Sequence, residues 1–242
     1  MSKEPRKTPI KIYIDTCVLL DFLIKERKNE ISNYILRTID GKRYLGIISR
    51  FSLLELKDNL YAYTDMINKI KEGTTPYEII QSKNERIITT LERKKDDDEI
   101  SNFLERNKRK IQLSVQGDNS IWERSMELME FDNFSAPDAL HVASAILNKC
   151  HYFLTKDTQL ILCLQNDNIT QKILVIEYNK STHIEDFIAR FNNLEAEYED
   201  LKLGDEEKKA KNFFKDIISL IQPKSFDPDE YEKKAISKKR KK

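Results

Sequence analysis

The chain has 242 residues, 39% of them hydrophobic and 34% charged, with a formal net charge of +1. That apolar content can bury a core, so disorder over the whole length is excluded, and the length suits one large domain or one domain with an appendage. No run of 18 apolar residues occurs, the opening MSKEPRKTPIKIYID lacks the apolar stretch of a secretory signal, and Cys17, Cys150 and Cys163 form no CxxC pair; a membrane span, a disulfide framework and a cysteine-held zinc are therefore not expected, and a reducing, cytoplasmic setting is.

In chain order, residues 10–14 (IKIYI) are β-branched and aromatic and predict a first strand. Asp15 and Thr16 follow, and CVLLDFLIKE has the apolar spacing of a helix. A second helix is expected after Lys28, with Ile31, Ile35 and Ile39 on one face and Gly41 as its stop. YLGII at 44–48 predicts a second strand, after which Ser49 or Ser52 opens a helix holding Glu55. This βαβα order implies a parallel sheet with helices on its faces.

From about 61 to 120 the sequence is polar and helix-prone and is expected to form a long helical insertion, exposed on one side. It carries the charge block ERKKDDDEI and the basic run ERNKRK. Helices are then expected over 121–130 and after Ser135-Ala136-Pro137-Asp138. A strand is expected at 152–155 (YFLT), a turn and short helix from Asp157, and a last strand at 172–178 (KILVIEY). Two amphipathic helices follow, one with Ile184, Phe187, Ile188, Phe191 and Leu194 on its stripe, the other with Phe213, Ile217, Leu220 and Ile221. The expected organisation is a domain over 1–182, a helical appendage over 183–222 and a basic, flexible tail over 223–242.

Charge is uneven along this plan. The last ten residues, KKAISKKRKK, hold seven Lys/Arg and no acid, so the rest of the chain has 35 basic against 41 acidic residues. Lys238, Lys239, Arg240, Lys241 and Lys242 read either as a solvated end or as an arm that contacts phosphates. A GxGxxG loop is absent. Gly41 and Gly46 have P-loop spacing, but Ile47 and Ile48 stand where Lys and Ser/Thr are required.

Four acids fall where chemistry is expected. Asp15 and Asp157 follow strands, Asp138 lies in the first turn of a helix and Glu55 lies in the helix after the second strand. In open parallel sheets, ligands bind beyond the carboxyl ends of the strands. Each acid alone fits an ordinary structural role: Asp15 and Asp157 as helix caps, Asp138 as the acid of a capping box with Ser135, Glu55 as an exposed helix acid. Together, four carboxylates at one edge fit a hard divalent cation such as Mg²⁺ or Mn²⁺, which can activate water and stabilise charge on a phosphodiester.

The segments IYIDTCVLLDFL, ISRFSLLELKDNL, SAPDALHVASAIL and FLTKDTQLI, in this order, resemble the signature segments of PIN-domain ribonucleases. The resemblance covers about residues 10–60 and 120–178. It implies a PIN-like α/β fold with a central parallel sheet flanked by helices. It also implies a metal site at Asp15, Glu55, Asp138 and Asp157, with Thr16 and Thr155 as hydroxyls that orient carboxylates. The implied activity is metal-dependent endoribonucleolytic cleavage. Toxins of toxin–antitoxin pairs are common among the members resembled, so an antitoxin joins RNA as an expected partner, and a homodimer is a further option. The 83-residue gap between Glu55 and Asp138 and the extension past 182 depart from the compact family pattern. The alternative is a PIN-like module that binds protein or RNA and cleaves weakly or not at all.

Other residues fit less well. His141, three residues after Asp138, reads as a metal ligand or, more simply, as a packed or hydrogen-bonded histidine. His151 and His183 are isolated. Cys17 has no base beside it, and as a non-acid it excludes an Asp-x-Asp phosphatase nucleophile. Asp21 is expected on a helix surface. Tyr61 and Tyr63 could stack on an unpaired base, and Lys108, Arg109 and Lys110 could meet phosphates.

Overall fold

The structure is a computed structural model, and it describes residues 8–28, 30–114, 117–132, 134–165, 173–178, 183–194 and 196. The chain divides into two compact units, Met1–Ala189 and Arg190–Lys242.

The first unit is built on five parallel strands in the order β3-β2-β1-β4-β5. They are β1 (Ile10–Ile14), β2 (Tyr44–Ile48), β3 (Ile111–Leu113), β4 (Tyr152–Thr155) and β5 (Leu174–Glu177). The chain leaves β1 toward β2 and β3, then returns to pair β4 against the other side of β1. The order therefore reverses at β1 and β4, the place where a parallel sheet opens a crevice for ligands beyond its carboxyl ends.

Helices α1 (Thr16–Leu23), α2 (Glu30–Thr38), α3 (Arg50–Lys71), α4 (Pro76–Gln81), α5 (Thr90–Asn107), α6 (Asp118–Asp132), α7 (Ala136–Leu147) and α8 (Thr158–Gln165) surround the sheet, with a 3-10 turn at Lys25–Arg27. A ninth, α9, spans 184–194. The architecture is the expected α/β fold with a parallel sheet flanked by helices.

The central strands are buried on both faces. Ile12, Tyr13 and Ile14 of β1, and Phe153 and Leu154 of β4, are fully enclosed. Tyr13 stacks on Phe153 with ring centroids 4.9 Å apart. Burying side chains of this size stabilises by about 1.5–3 kcal/mol each. Helix α7 buries Ala139, Val142, Ala143, Ser144 and Ala145, a run of small residues that lets it approach closely. Helix α2 ends at Thr38, three residues before Gly41, which turns the chain toward β2 with φ +75, and a Cβ there would lie 1.8 Å from the Arg109 carbonyl oxygen. The close approach admits only glycine, and the positive φ favours it.

The segment 61–120 is not helical throughout. Helix α3 runs unbroken from Arg50 through Lys71, and α4 and α5 follow. Residues 111–113, just past the basic run, form β3 and extend the sheet beside β2. A three-residue edge strand with two exposed side chains has no alternation long enough to be read. The charge block lies in α5, where it ties to α3. Lys57 and Tyr61 both bond Asp97, Thr64 bonds Asp96, and Asn68 bonds Glu92. Glu92, Asp96 and Asp97 thus fasten α5 to α3, while Arg93, Lys94, Lys95, Asp98 and Glu99 form its exposed face.

Of the appendage, α9 is helical as expected. Its Phe187 packs edge-on to Tyr34 and Tyr178 within the first unit. In the second unit, Phe191 and Leu194 are buried. The second amphipathic stripe and the tail residues Lys238, Lys239, Arg240, Lys241 and Lys242 lie outside the described residues, as does Thr182.

Candidate functional site

Strand β1 delivers Asp15 to the carboxyl edge of the sheet, and the first turn of α1 begins there. Asp15 is buried and is the N-cap of α1, with Oδ1 accepting from the Thr16 amide at 2.6 Å. Its Oδ2 accepts from Thr155 Oγ1 at 2.5 Å and from the Cys17 thiol at 3.2 Å. Thr155, at the end of β4, in turn accepts from the Asp157 amide at 3.0 Å. Asp15 and Asp157 are thus bridged by one buried hydroxyl. Asp157 uses Oδ1 to hold the amides of Gln159 and Leu160 at the start of α8, and it is exposed.

Glu55 comes from the second turn of α3, a helix set by a capping box between Ser49 and Ser52. Its Oε2 takes two donors, Thr16 Oγ1 at 2.7 Å and His141 Nε2 at 2.6 Å. Asp138 stands in the first turn of α7, where Ser135 caps the helix and donates to Asp138 Oδ2 at 2.6 Å. Thr155 links Asp15 to the Asp157 backbone, Thr16 links Asp15 to Glu55, and Asp138 lies near enough to feel the charges of Asp157 and Asp15.

The carboxylates feel one another. Burial pushes the Asp138 carboxyl above its ordinary range, and the charges of Asp157 and Asp15 add to that push, against the lowering effects of Ser135 and His141. Glu55 goes the other way. Burial would raise it, but His141 and Thr16 outweigh burial and hold it below the usual carboxylate range.

His141 is the residue whose importance the sequence concealed. It is buried, bridging Glu55 on Nε2 and the Tyr13 hydroxyl on Nδ1 at 2.8 Å, and it lies 3.9 Å from Asp15 Oδ1. Tyr13 also meets Ser52, which bonds Ser49, so the imidazole sits at the end of a buried polar chain. Burial opposes its charged form. Tyr13, Glu55 and Asp15 outweigh burial, and its pKa is pushed up to about 10. The acids do not converge without a basic partner: the His141 imidazole faces two of them. The only hint in the sequence was the Asp-x-x-His spacing, which puts both residues on one face of α7.

A second correction concerns Asp21. It is fully buried, not on a helix surface. Arg27 Nε reaches its Oδ1 at 3.0 Å, and Lys156 Nζ and the Tyr178 hydroxyl reach its Oδ2 at 2.6 and 3.1 Å. The partners come from positions 27, 156 and 178, which no local pattern links.

Four of the remaining candidates are engaged elsewhere. Tyr61 bonds Asp97 under the cations Lys57 and Arg93, and Tyr63 bonds Glu26. Lys108 pairs with Glu105, and Lys110 reaches the Leu36 carbonyl. Burial and the Asp15 charge push the Cys17 thiol far up, so it is no nucleophile at neutral pH.

The chemistry of the donors fits a hard divalent cation. Glu55, Asp138 and Asp157 each tie one oxygen to the scaffold, which leaves Glu55 Oε1, Asp138 Oδ1 and Asp157 Oδ2 for a further ligand. A cation would also relieve the repulsion registered at Asp138. As they stand, no three acids, histidines or cysteines among the described residues are close enough to share one ion.

This fold and this edge define a class. The PIN domain family model matches residues 12–162, and the chain belongs to that family, whose members are generally nucleases and typically use divalent metal ions. Two solved structures are distant likenesses. VapBC2 from Rickettsia felis, bound to a DNA fragment from its promoter, is 12% identical over 70% of this chain and 100% of that one, with a TM-score of 0.43. FitAcB from Neisseria gonorrhoeae is 13% identical over 68% of this chain and 96% of that one, with a TM-score of 0.40. Among the curated proteins none matches the chain. No helix among the described residues is long and apolar enough to cross a membrane.

Proposed function

We propose that the protein is a metal-dependent endoribonuclease that hydrolyses RNA phosphodiester bonds at the edge carrying Asp15, Glu55, Asp138 and Asp157. The observation that carries this reading is the way the four carboxylates are held. Asp15 anchors to the Thr16 amide and to Thr155, Glu55 to Thr16 and His141, Asp138 to Ser135, and Asp157 to the start of α8. Three of them keep an oxygen free of scaffold bonds, which is what a cation-binding set requires.

Asp15, Glu55, Asp138 and Asp157 would hold the ion. Bound Mg²⁺ or Mn²⁺ supplies Lewis acidity, easing deprotonation of water and offsetting charge that develops on the phosphate. The protein supplies orientation. Thr155 fixes Asp15 relative to Asp157, and His141 with Thr16 fixes one oxygen of Glu55, so that the other keeps a defined direction. Water attacks the phosphorus and the P–O bond to the leaving ribose oxygen breaks. No protein-bound intermediate forms. Single-stranded RNA suits such a rim, since its bases can splay away from the cut phosphate.

Inhibition by a cognate antitoxin protein, the partner that the toxin-like resemblance implies, belongs to the same proposal. Co-expression with a candidate inhibitor should then restore growth to cells arrested by this chain.

The test is cleavage of a structured RNA pool by the purified protein with Mg²⁺, with Mn²⁺ and with EDTA, beside an Asp15→Asn/Asp138→Asn variant. Cuts that need metal and vanish in the variant support the nuclease. An absence of cuts, or cuts that persist in the variant, would point instead to a PIN-like binding module.

A further inference from the structure

Four acids at one rim repel a polyanion, so an RNA strand needs a compensating positive element close by. The first turn of α1 has one on its other side. The buried Asp21 carboxylate is met by two cations and a hydroxyl. One cation with the Tyr178 hydroxyl would satisfy a single carboxylate. The second leaves the cluster with a surplus positive charge. Elsewhere among the described residues, Lys57–Asp97, Lys69–Asp65, Arg86–Asp58, Lys108–Glu105 and Arg124–Glu127 pair one cation with one carboxylate.

The surplus faces water. Asp21 is 0% exposed, whereas the side chains of Arg27 and Lys156 are 40% and 22% exposed. The cluster is also bonded to the turn that presents Asp15. Lys156 lies between Thr155 and Asp157, and its amide donates to Cys17 Sγ at 3.3 Å; the same thiol donates to Asp15. Arg27 Nη2 reaches the Cys17 carbonyl at 3.5 Å. Arg27 commits Nε to Asp21, and Lys156 is braced over the Tyr178 ring at 5.3 Å. Both keep N–H groups beyond those that bond Asp21. Of the neighbouring acids, Glu26 accepts from Tyr63, and Asp157 uses Oδ1 on the amides of Gln159 and Leu160.

We propose that Arg27 and Lys156, clamped by Asp21, form a phosphate-binding subsite that receives a backbone phosphate adjacent to the one cut. The subsite rests on the nuclease reading above for its purpose, though not for its test. Asp21 holds two flexible side chains in place before the strand arrives, which lowers the ordering cost of binding.

The test is salt-dependent binding of the full chain carrying Asp138→Asn to a fluorescent single-stranded RNA and to DNA of the same sequence, in EDTA. Deleting one cation that neutralises a phosphate of a single strand should flatten the slope of log Kd against log salt by about 0.7. Lys156→Gln and Arg27→Gln should each flatten it by about that amount on both strands and weaken binding several-fold. Lys156→Arg should keep the slope. Lys149→Gln, just before β4 at the opposite end of the sheet, should leave it unchanged. Three results would overturn the subsite: an unchanged slope in folded Lys156→Gln and Arg27→Gln, an equal flattening in Lys149→Gln, or an effect confined to RNA, which would indicate recognition of the ribose rather than the phosphate. Failure of the nuclease reading shows separately, as absence of metal-dependent cuts by the wild-type chain.

Discussion

The two sides of the first turn of α1 solve opposite electrostatic problems. On the Thr16 side, carboxylates are gathered and kept apart from one another by hydroxyls, amides and one imidazole. On the Cys17 side, two cations are gathered around one carboxylate that has no exposure at all. The acidic side leaves oxygens free, while the basic side leaves N–H groups free. The contrast shows how one turn can present attraction for a cation and for a phosphate within a few residues of each other.

The largest expected effect comes from breaking the acidic side at its charges. Asp15→Asn or Asp138→Asn weakens the hold on an ion that supplies several kcal/mol of charge stabilisation and should lower RNA cleavage by at least about 10²-fold. Binding measured in EDTA should not weaken, because a negative charge has been removed. Weaker binding in Asp138→Asn would mean that the carboxylate serves the fold or the substrate contact instead.

Removing the support rather than the charge should have a smaller effect. His141→Leu leaves Glu55 without its Nε2 donor and should reduce metal affinity or activity about 10–100-fold. Because His141 acts through Glu55, the losses should not add: His141→Leu in a Glu55→Gln background should do little more. Additive losses in that cycle would mean a purely structural histidine.

On the basic side the effect should appear in stability. Asp21→Ala removes the carboxylate that two cations and Tyr178 share and should destabilise by about 2–3 kcal/mol, which lowers Tm by roughly 5–10 °C for a chain of this size. A Tm within 1–2 °C of wild type, about the shift expected for a harmless surface change, would show that the cluster is not held together by its anion.

A further expected effect is a pH dependence. The pKa of His141 is raised on folding from an ordinary value of 6.5 to about 10. A raised pKa stabilises the fold fully below the unfolded value and loses that contribution as pH rises toward the folded one. In EDTA, the urea-midpoint difference between wild type and His141→Leu should be flat below about pH 6.5 and shrink steadily toward pH 10. A difference that grows over that range would reverse the assignment.

The two sides also differ in how far the sequence discloses them. Asp15, Asp138 and Asp157 sit at helix starts, and two of them lie within two residues of a strand end, so local pattern and the rule of ligands at the carboxyl edge locate them. The strands at 10–14 and 44–48 are equally plain, being β-branched runs bounded by turns. The partners of Asp21 are scattered from 27 to 178, and nothing short of the sheet order brings them together. His141 lies between these cases: its spacing from Asp138 is visible, but its bond to Glu55 spans 86 residues. Strand β3 escaped because three residues carry no period, and the ties of Asp96 and Asp97 escaped because their partners lie across a helix hairpin on α3.

The central claim is that these carboxylates form a cation site. The most direct measurement is an anomalous difference map from crystals of the full chain grown with Mn²⁺. A peak bounded by Asp15, Glu55, Asp138 and Asp157, absent in Asp138→Asn, is the predicted result. A map with no peak there at saturating Mn²⁺, or with the peak held by other residues, would contradict the claim.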